Sequence, residues 1–287
     1  MQQPAISADS LVTPAWLRTH LNDPGIVLAD CRYADDEAAS LAAYRAGHIP
    51  GAVHVYWPRD LSTESGPVPN LLPTPDQVAA KLGRLGIGDD RLVIGYDADG
   101  GHHAARLWLV LAYYGYDRFK LLNGGIQAWQ AEGGALEEGG AQPVPAVFTP
   151  RPARESLRIR ADELAARLGD PAMQLVDVRR ATEFTGSEAR AARGGRIPGA
   201  RLLMWQENLN PDLTLRTPEE IRARHLAAGI DPDREVVTYC QAGVRAAHAA
   251  LALLLAGYPH VRVYDGSWKE WGDRADLPLE TGPGPGA

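Results

Sequence analysis

The sequence predicts an α/β protein built from two tandem copies of one domain, each a mainly parallel sheet flanked by helices. Three observations carry this. Strand-like and helix-like patterns alternate along the chain. Four short motifs recur in the same order in the second half. A Gly-, Ala-, Pro- and Glu-rich stretch, residues 132–152, separates the halves and reads as a linker. The length, 287 residues, also fits two domains, at roughly 150 residues each.

The recurrences are specific. Asp30-Cys31-Arg32 returns as Asp177-Val178-Arg179, 147 residues later. Gly47-His48-Ile49-Pro50-Gly51-Ala52 returns as Gly195-Arg196-Ile197-Pro198-Gly199-Ala200, 148 later. Tyr96-Asp97 is matched by Tyr239-Cys240 at 143, and Asn123-Gly124 with Trp129 by Asp265-Gly266 with Trp271 at 142. The slowly drifting offset is too long for a solenoid and marks a duplicated domain. The expected boundaries are 1–135, a linker at 136–154, and 155–287.

Within the first half, Ile26–Ala29, Arg91–Tyr96 and Phe119–Leu122 read as strands. Pro75–Leu85, capped by Thr74, and Ala104–Tyr114 read as helices. In the second half the strands are Gln174–Val178, Val236–Tyr239 and Val261–Tyr264. The helices are Ala161–Leu168, Pro218–Ala228 with a Thr217 cap, and Arg245–Ala256. Such alternation argues a parallel sheet covered on both faces, with ligands gathering at the carboxyl ends of strands. The tail from Thr281 to Ala287, rich in Gly and Pro, is expected to be disordered.

Composition sets limits. Hydrophobic content of 45% and charged content of 23% suit a globular chain with a sizeable core. A net charge of −7 argues against a nucleic-acid or anionic-membrane binder. Two cysteines, one in each half, exclude a disulfide framework and suit a reducing compartment. No apolar run reaches the roughly 18 residues of a membrane span. The start, residues 1–7, lacks the basic and apolar segments of a leader. The cytoplasm is therefore expected.

The chemistry centres on Glu235 to His248. A β-branched strand ends at Cys240, a short loop holds Gly243 and Arg245, and an Ala/Leu-rich helix follows. A thiol facing a helix N-terminus meets unpaired N–H groups and the positive end of the dipole, which acidifies thiols and also suits anions. Cys31, between Asp30 and Arg32 with no such loop after it, reads as a buried, inert thiol. In the first half Asp97 stands where Cys240 stands in the second, so that loop has no nucleophile. Asp97, Asp99, His102 and His103 resemble a metal cluster in composition, but their spacing matches no recognised site, so neither metal nor cofactor is expected. His48 reads as a turn residue, because Arg196 replaces it in the repeat. The Asp-x-Arg pairs read as structural charges, and Trp129 and Trp271 as core aromatics.

Taken together, Asp-x-Arg, Gly-His-Ile-Pro-Gly-Ala, the Cys240 loop with Gly243 and Arg245, and Asp-Gly-x-x-x-x-Trp resemble the tandem rhodanese family of sulfurtransferases. The resemblance runs from about Ala15 to Trp271. It implies a non-catalytic first domain and a catalytic second one. By position, Cys240 matches the persulfide carrier, and Gln241, Ala242, Gly243, Val244 and Arg245 match the loop that surrounds the sulfur. The implied partners are a small-molecule sulfur donor and a thiophilic acceptor such as cyanide, on a monomer.

The donor is read from departures within the loop. The mercaptopyruvate branch of the family carries Cys-Gly-Ser-Gly, and its serine is proposed to act with the turn histidine. Here Gln241 and Ala242 stand in those places and the hydroxyl is gone. That branch also places Arg before the aromatic-x-Gly segment, where this chain has Glu183-Phe184-Thr185-Gly186. Thiosulfate is therefore the expected donor, with Arg245 supplying a charge for a small dianion, and 3-mercaptopyruvate is the alternative. Two other classes compete. Cysteine phosphatases have five residues between Cys and Arg, against four between Cys240 and Arg245. A sulfur-relay or regulatory binding module that uses the fold without turnover is the other, and the intact Cys240 weakens it.

Overall fold

A computed structural model describes residues 3–4, 6–64 and 66–284. Parts of the N-terminal stretch read as lacking a leader, and residues 285–287 of the tail, lie outside the described residues.

Each half holds one five-stranded sheet, and every strand pair is parallel. The first contains β1 (Leu11–Val12), β2 (Ile26–Asp30), β3 (Val53–His54), β4 (Leu92–Tyr96) and β5 (Phe119–Leu122). The second contains β6 (Arg158–Ile159), β7 (Met173–Asp177), β8 (Arg201–Leu202), β9 (Glu235–Tyr239) and β10 (Val261–Tyr264). Their spatial orders are β1-β5-β4-β2-β3 and β6-β10-β9-β7-β8, the same arrangement twice. Central strands such as Leu92–Tyr96 and Glu235–Tyr239 are apolar and β-branched because helices cover both their faces. The two-residue edge strands escape a reading by pattern, because alternation needs about four residues. Short helices at Pro14–His20, Glu37–Ala46 and Ala181–Thr185 escape the same reading, whereas Gly125–Ala131 and Ser267–Asp273 carry Trp129 and Trp271 as buried helix aromatics, as expected. The helices at Pro75–Arg84 and Pro218–Ala227 open on identical capping boxes: Thr74 with Gln77, and Thr217 with Glu220, each with proline at the first turn.

The repeated motifs turn out to be one structural clasp used twice. Asp30 takes the Arg32 guanidinium at 2.6 Å and the Tyr96 hydroxyl at 2.8 Å. Arg32 also donates to the carbonyl of Gly47, and the Ile49 amide donates to Tyr96. In the second half Asp177 takes Arg179 at 2.6 Å, Arg179 donates to Gly195, and the Ile197 amide donates to Tyr239. The buried charges thus hold the Gly-x-Ile-Pro-Gly turn against the strand ends. His48 and Arg196 bridge antiparallel to Glu137 and Glu280 respectively, so they share one structural task.

Residues 132–152 do not form a free spacer. Ala146 donates to Gly83, Asp89 donates to Val147, and Phe148 is buried. The start of the tail is also held: Gly282 donates to Thr185, and Arg196 donates to Gly282. Disorder was expected there because composition reports local propensity and carries no trace of a docking carbonyl.

The halves meet through two helices, His102–Tyr113 and Val244–Leu255, each with eleven of its twelve residues buried. Both belong to the largest apolar cluster, which spans the two halves. A helix buried all round needs apolar residues all round, which is why these two are Ala- and Leu-rich. At the edges of the contact the Leu72 amide donates to Asp265 at 2.6 Å and the Leu215 amide donates to Asn123 at 2.8 Å. Each leucine lies two residues beyond a left-handed residue, Asn70 (φ 67°) or Leu213 (φ 65°). Among the described residues no helix is long and apolar enough to cross a membrane.

Two histidines buried in this fold are kept neutral. Burial pushes His248 down to about 3 and His225 down to about 4, from 6.5. Their contribution is complete above about pH 6.5 and is lost as the pH falls toward those values, at up to about 1.4 kcal/mol per pH unit each. The thermal midpoint is therefore expected to fall between pH 6.5 and 4, and His225→Gln to flatten that slope. Equal slopes for the two proteins would contradict this account.

Candidate active site

β9 ends at Tyr239 and the Val244–Leu255 helix begins five residues on, with Gly243 as N-cap at φ 78°. A side chain at Gly243 would meet the Asp265 carbonyl and Arg106 Nη1, each 2.9 Å from an ideal Cβ, so both the left-handed φ and the space require glycine. Cys240 is 1% exposed and lies on the floor of a cleft of about 780 Å³ between the halves. The cleft is also lined by Gln241, Ala242, Val244 and Arg245 from the loop, by Arg180, Arg190 and Arg216, and by Asp99, His102 and His103 from the first half. The structure thus brings the predicted loop residues together around one opening, with Gly243 beneath them. His48 and Cys31 do not line this cleft. Cys31 is buried, and burial followed by Asp97, Asp30 and Asp60 pushes its thiol well up.

The loop is held from behind by Ser267. Its hydroxyl accepts from the amides of Cys240 and Gly243, both at 3.1 Å, and donates to the Tyr264 carbonyl. Trp268 and Lys269 amides donate to the carbonyls of Cys240 and Gln241. Ser267 is fully buried and sits at φ 53°, a left-handed conformation that costs a non-glycine residue roughly 1–3 kcal/mol. The equivalent residue in the first half is Gly125, at φ 59°, and the Ile126 amide there donates to the Asp97 carbonyl just as Trp268 does to Cys240. The second half therefore accepts strain in order to place a hydroxyl. Sequence reasoning missed Ser267, although the residue after each repeated Asn/Asp-Gly pair differs, Gly125 against Ser267, and that was the available signal.

The Asp97 loop shows what the same architecture does with a carboxylate. Asp97 accepts from the amides of Asp99, Gly101, His103 and Ala104, two on each oxygen. Burial works to raise its pKa, but His102, His103 and the amides of Asp99 and Gly101 outweigh burial and hold it below the usual range. Asp97, His102 and His103 bring ligand atoms within 4.8 Å of one another. Both carboxylate oxygens are already filled, however, and the group sits at the positive end of a helix, which disfavours a cation. This loop is also one residue longer. Counting from Asp97, His103 is the sixth residue and takes the second helical position that Arg245, the fifth after Cys240, takes in the other half.

Arg245 is not the free charge expected for a substrate. Its guanidinium forms a fork with Glu183, at 2.8 and 2.9 Å, and Glu183 is buried. Burial works to raise the Glu183 pKa; hydrogen bonding and the charge of Arg245 outweigh it and leave the carboxyl below its usual range. Glu183 therefore orients and neutralises Arg245. The less committed cations of the cleft are Arg180, Arg190 and Arg216. Arg190 is half exposed and 3.9 Å from Glu183, and its carbonyl accepts from the Gln241 side chain at 2.7 Å.

The chain is similar to known proteins over nearly its whole length. A family described as the rhodanese-like domain matches residues 13–132 and 160–274. The chain is 36% identical over 271 residues to the 3-mercaptopyruvate sulfurtransferase of Escherichia coli K12, covering 92% of this chain and 95% of the relative. It is also 36% identical over 274 residues to the thiosulfate sulfurtransferase of Azotobacter vinelandii, covering 94% and 96%. The crystal structure of SseA from Escherichia coli, described by its rhodanese fold, superposes with a TM-score of 0.81 at 31% identity over 90% of this chain and 98% of that one.

Replacing Ser267 by Gly copies the first half. It relieves the left-handed strain and removes the acceptor for two loop amides. The expected result is an unchanged or raised thermal midpoint together with Cys240 alkylation by iodoacetamide slowed about tenfold or more, as for a small misplacement of a reacting group. Alkylation at the wild-type rate would show that the hydroxyl does not set the loop.

Proposed function

The chain belongs to the rhodanese-like domain family, carries that domain in two tandem copies and is a sulfurtransferase; within the family we propose that it moves sulfane sulfur from thiosulfate to cyanide or another thiophilic acceptor through a persulfide on Cys240. The observation that carries this reading is the contrast between the loops. In one, helix-opening amides close on the carboxylate of Asp97. In the other, the corresponding position holds a thiol at the floor of an open cleft. Apart from Gly243, whose amide Ser267 takes up, the amides corresponding to those that hold an anion in the first loop are suited in the second to a thiolate and to the terminal sulfur of a persulfide.

The reaction is a double displacement. The Cys240 thiolate attacks the outer sulfur of thiosulfate, the donor's S–S bond breaks, and sulfite leaves with the bonding pair. The enzyme keeps Cys–S–S⁻. The acceptor then attacks the terminal sulfur, and the Cys240 thiolate leaves in turn. The second domain, residues 155–287, is catalytic on this reading. The first, residues 1–135, has no thiol in its loop and serves to build the cleft, with 136–154 joining the two. Gln241 to Arg245 surround the donor, and one chain holds every part of the cleft.

Thiosulfate is favoured because Ala242 offers no hydroxyl for proton transfer to or from a keto acid. Glu183 takes up Arg245 and leaves Arg180, Arg190 and Arg216 to attract a small dianion. The same arginines could hold a carboxylate, which, together with the name of the Escherichia coli relative, supports 3-mercaptopyruvate as the second reading. Steady-state kcat/KM for the two donors decides between them. Thiosulfate is expected to be the better substrate by about tenfold or more, and the reverse order overturns the choice. Mass spectrometry after donor treatment is expected to find one added sulfur atom on the Cys240 peptide. Cys240→Ser should abolish the gain, because an alkoxide is not accessible at neutral pH. No gain with either donor, in reduced and folded protein, would remove the persulfide.

A further inference from the structure

Arg106 belongs to the first half, yet it ends at the loop of the second. It lies on the His102–Tyr113 helix, fully buried, and its Nη1 donates to Asp265 Oδ1 at 2.7 Å. Its Nη2 donates to the carbonyl of Asn70 at 2.7 Å. Asp265 is itself 1% exposed, and its other oxygen accepts the Leu72 amide. Asp265 is thus clamped from the first half on both oxygens. Two residues later comes Ser267, in its left-handed conformation, holding the amides of Cys240 and Gly243. The guanidinium also backs directly onto the loop, since a Cβ at Gly243 would lie 2.9 Å from it.

A bland explanation is that a buried ion pair merely fastens two domains. The opposite arm of the interface argues against it. There the Leu215 amide donates to Asn123, which stands in the place of Asp265. His248, on the Val244–Leu255 helix, stands in the place of Arg106, packed against Trp205 and kept neutral by burial. That arm joins the same two domains with no ion pair between the equivalent residues, and it lies against the Asp97 loop. The charged version occurs where the thiol is. A buried ion pair is a poor fastener, because desolvation offsets most of its attraction, but it fixes geometry well.

We propose that Arg106, contributed by the first domain, is a positioning residue for sulfur transfer: by clamping Asp265 it sets Ser267 and hence the Cys240 loop. The first domain then has a function in the chemistry of the second. This rests on the persulfide reading of Cys240.

The double variant Arg106→His with Asp265→Asn puts the residue types of the neutral arm into the charged one, leaving Arg158, 3.9 Å from Asp265, as the cation that remains beside it. Two rates are followed in the full chain: sulfur loading of Cys240 by thiosulfate, and alkylation of Cys240 by iodoacetamide, which needs no donor. Both are expected to fall about tenfold or more, with KM for cyanide unchanged. Arg106→Lys, which keeps the charge at Asp265, is expected to retain most of both rates. Asn123→Ala cuts the opposite arm and is expected to lower the thermal midpoint without slowing either rate. The proposal is overturned if the folded double variant keeps both rates within about twofold of wild type, or if Asn123→Ala slows them equally. If the double variant does not fold, an Arg106→Lys protein as slow as Arg106→Ala overturns it. Failure of wild-type protein to load sulfur from either thiosulfate or 3-mercaptopyruvate would instead overturn the persulfide reading, and the alkylation rates would still decide what Arg106 does to the loop.

Discussion

Everything at the cleft depends on the contact between two helices that begin at two loops. Because His102–Tyr113 and Val244–Leu255 are buried together, their starting points are forced to open on one cavity. An apolar helix surface buries about 25 cal/mol of favourable free energy per Å², with no directional preference of its own. Direction comes from the polar residues within it. Arg106 and His248 are large polar side chains on these helices that reach across, and each ends against the other half's loop. The hydrophobic contact supplies the adhesion and these residues supply the register.

Much of this was legible in the sequence. Strand cores such as Leu92–Tyr96 and Val261–Tyr264 declare themselves by β-branched runs. The capped helices at Thr74 and Thr217 declare themselves by Thr-Pro with Gln or Glu following. Cys240 stood out because a strand, a glycine-bearing loop and an apolar helix follow in one line. What escaped depends on distance in the chain. Glu183 lies 62 residues from Arg245 and in the sequence is only the residue found where one branch of the family places an arginine; in the fold it is the partner that neutralises Arg245. Ser267 lies 27 residues from Cys240 and carries no local signal beyond its replacement of a glycine. The linker composition suggested freedom, because proline and glycine set local stiffness and say nothing about a neighbouring helix end that accepts a hydrogen bond.

Duplication makes the comparison within one chain unusually informative. The two halves share a sheet order, a clasp of carboxylate, arginine and tyrosine, and a pair of capping boxes. Against that common background the differences fall at the loops: thiol for carboxylate, serine for glycine, an ion pair for a neutral pair, and one residue fewer. Residues that differ while their surroundings are kept are the ones whose chemistry has changed, and here all four changes fall in the two loops or in the residues buried behind them.

The carboxylate of Asp97 has a consequence of its own. Held by four amides, it is a ligand tethered to its own receptor. Tethering replaces a concentration by an effective molarity, which for a well-oriented intramolecular group reaches about 10⁵ M or more. No dissolved anion competes with that. The first half therefore stays permanently self-occupied, and a single exchange of Asp97 for cysteine would empty the receptor without restoring the shorter loop. With its anion built into the chain, that loop is a fixed structural joint, and the domain around it presents a surface for its neighbour and no ligand site of its own there.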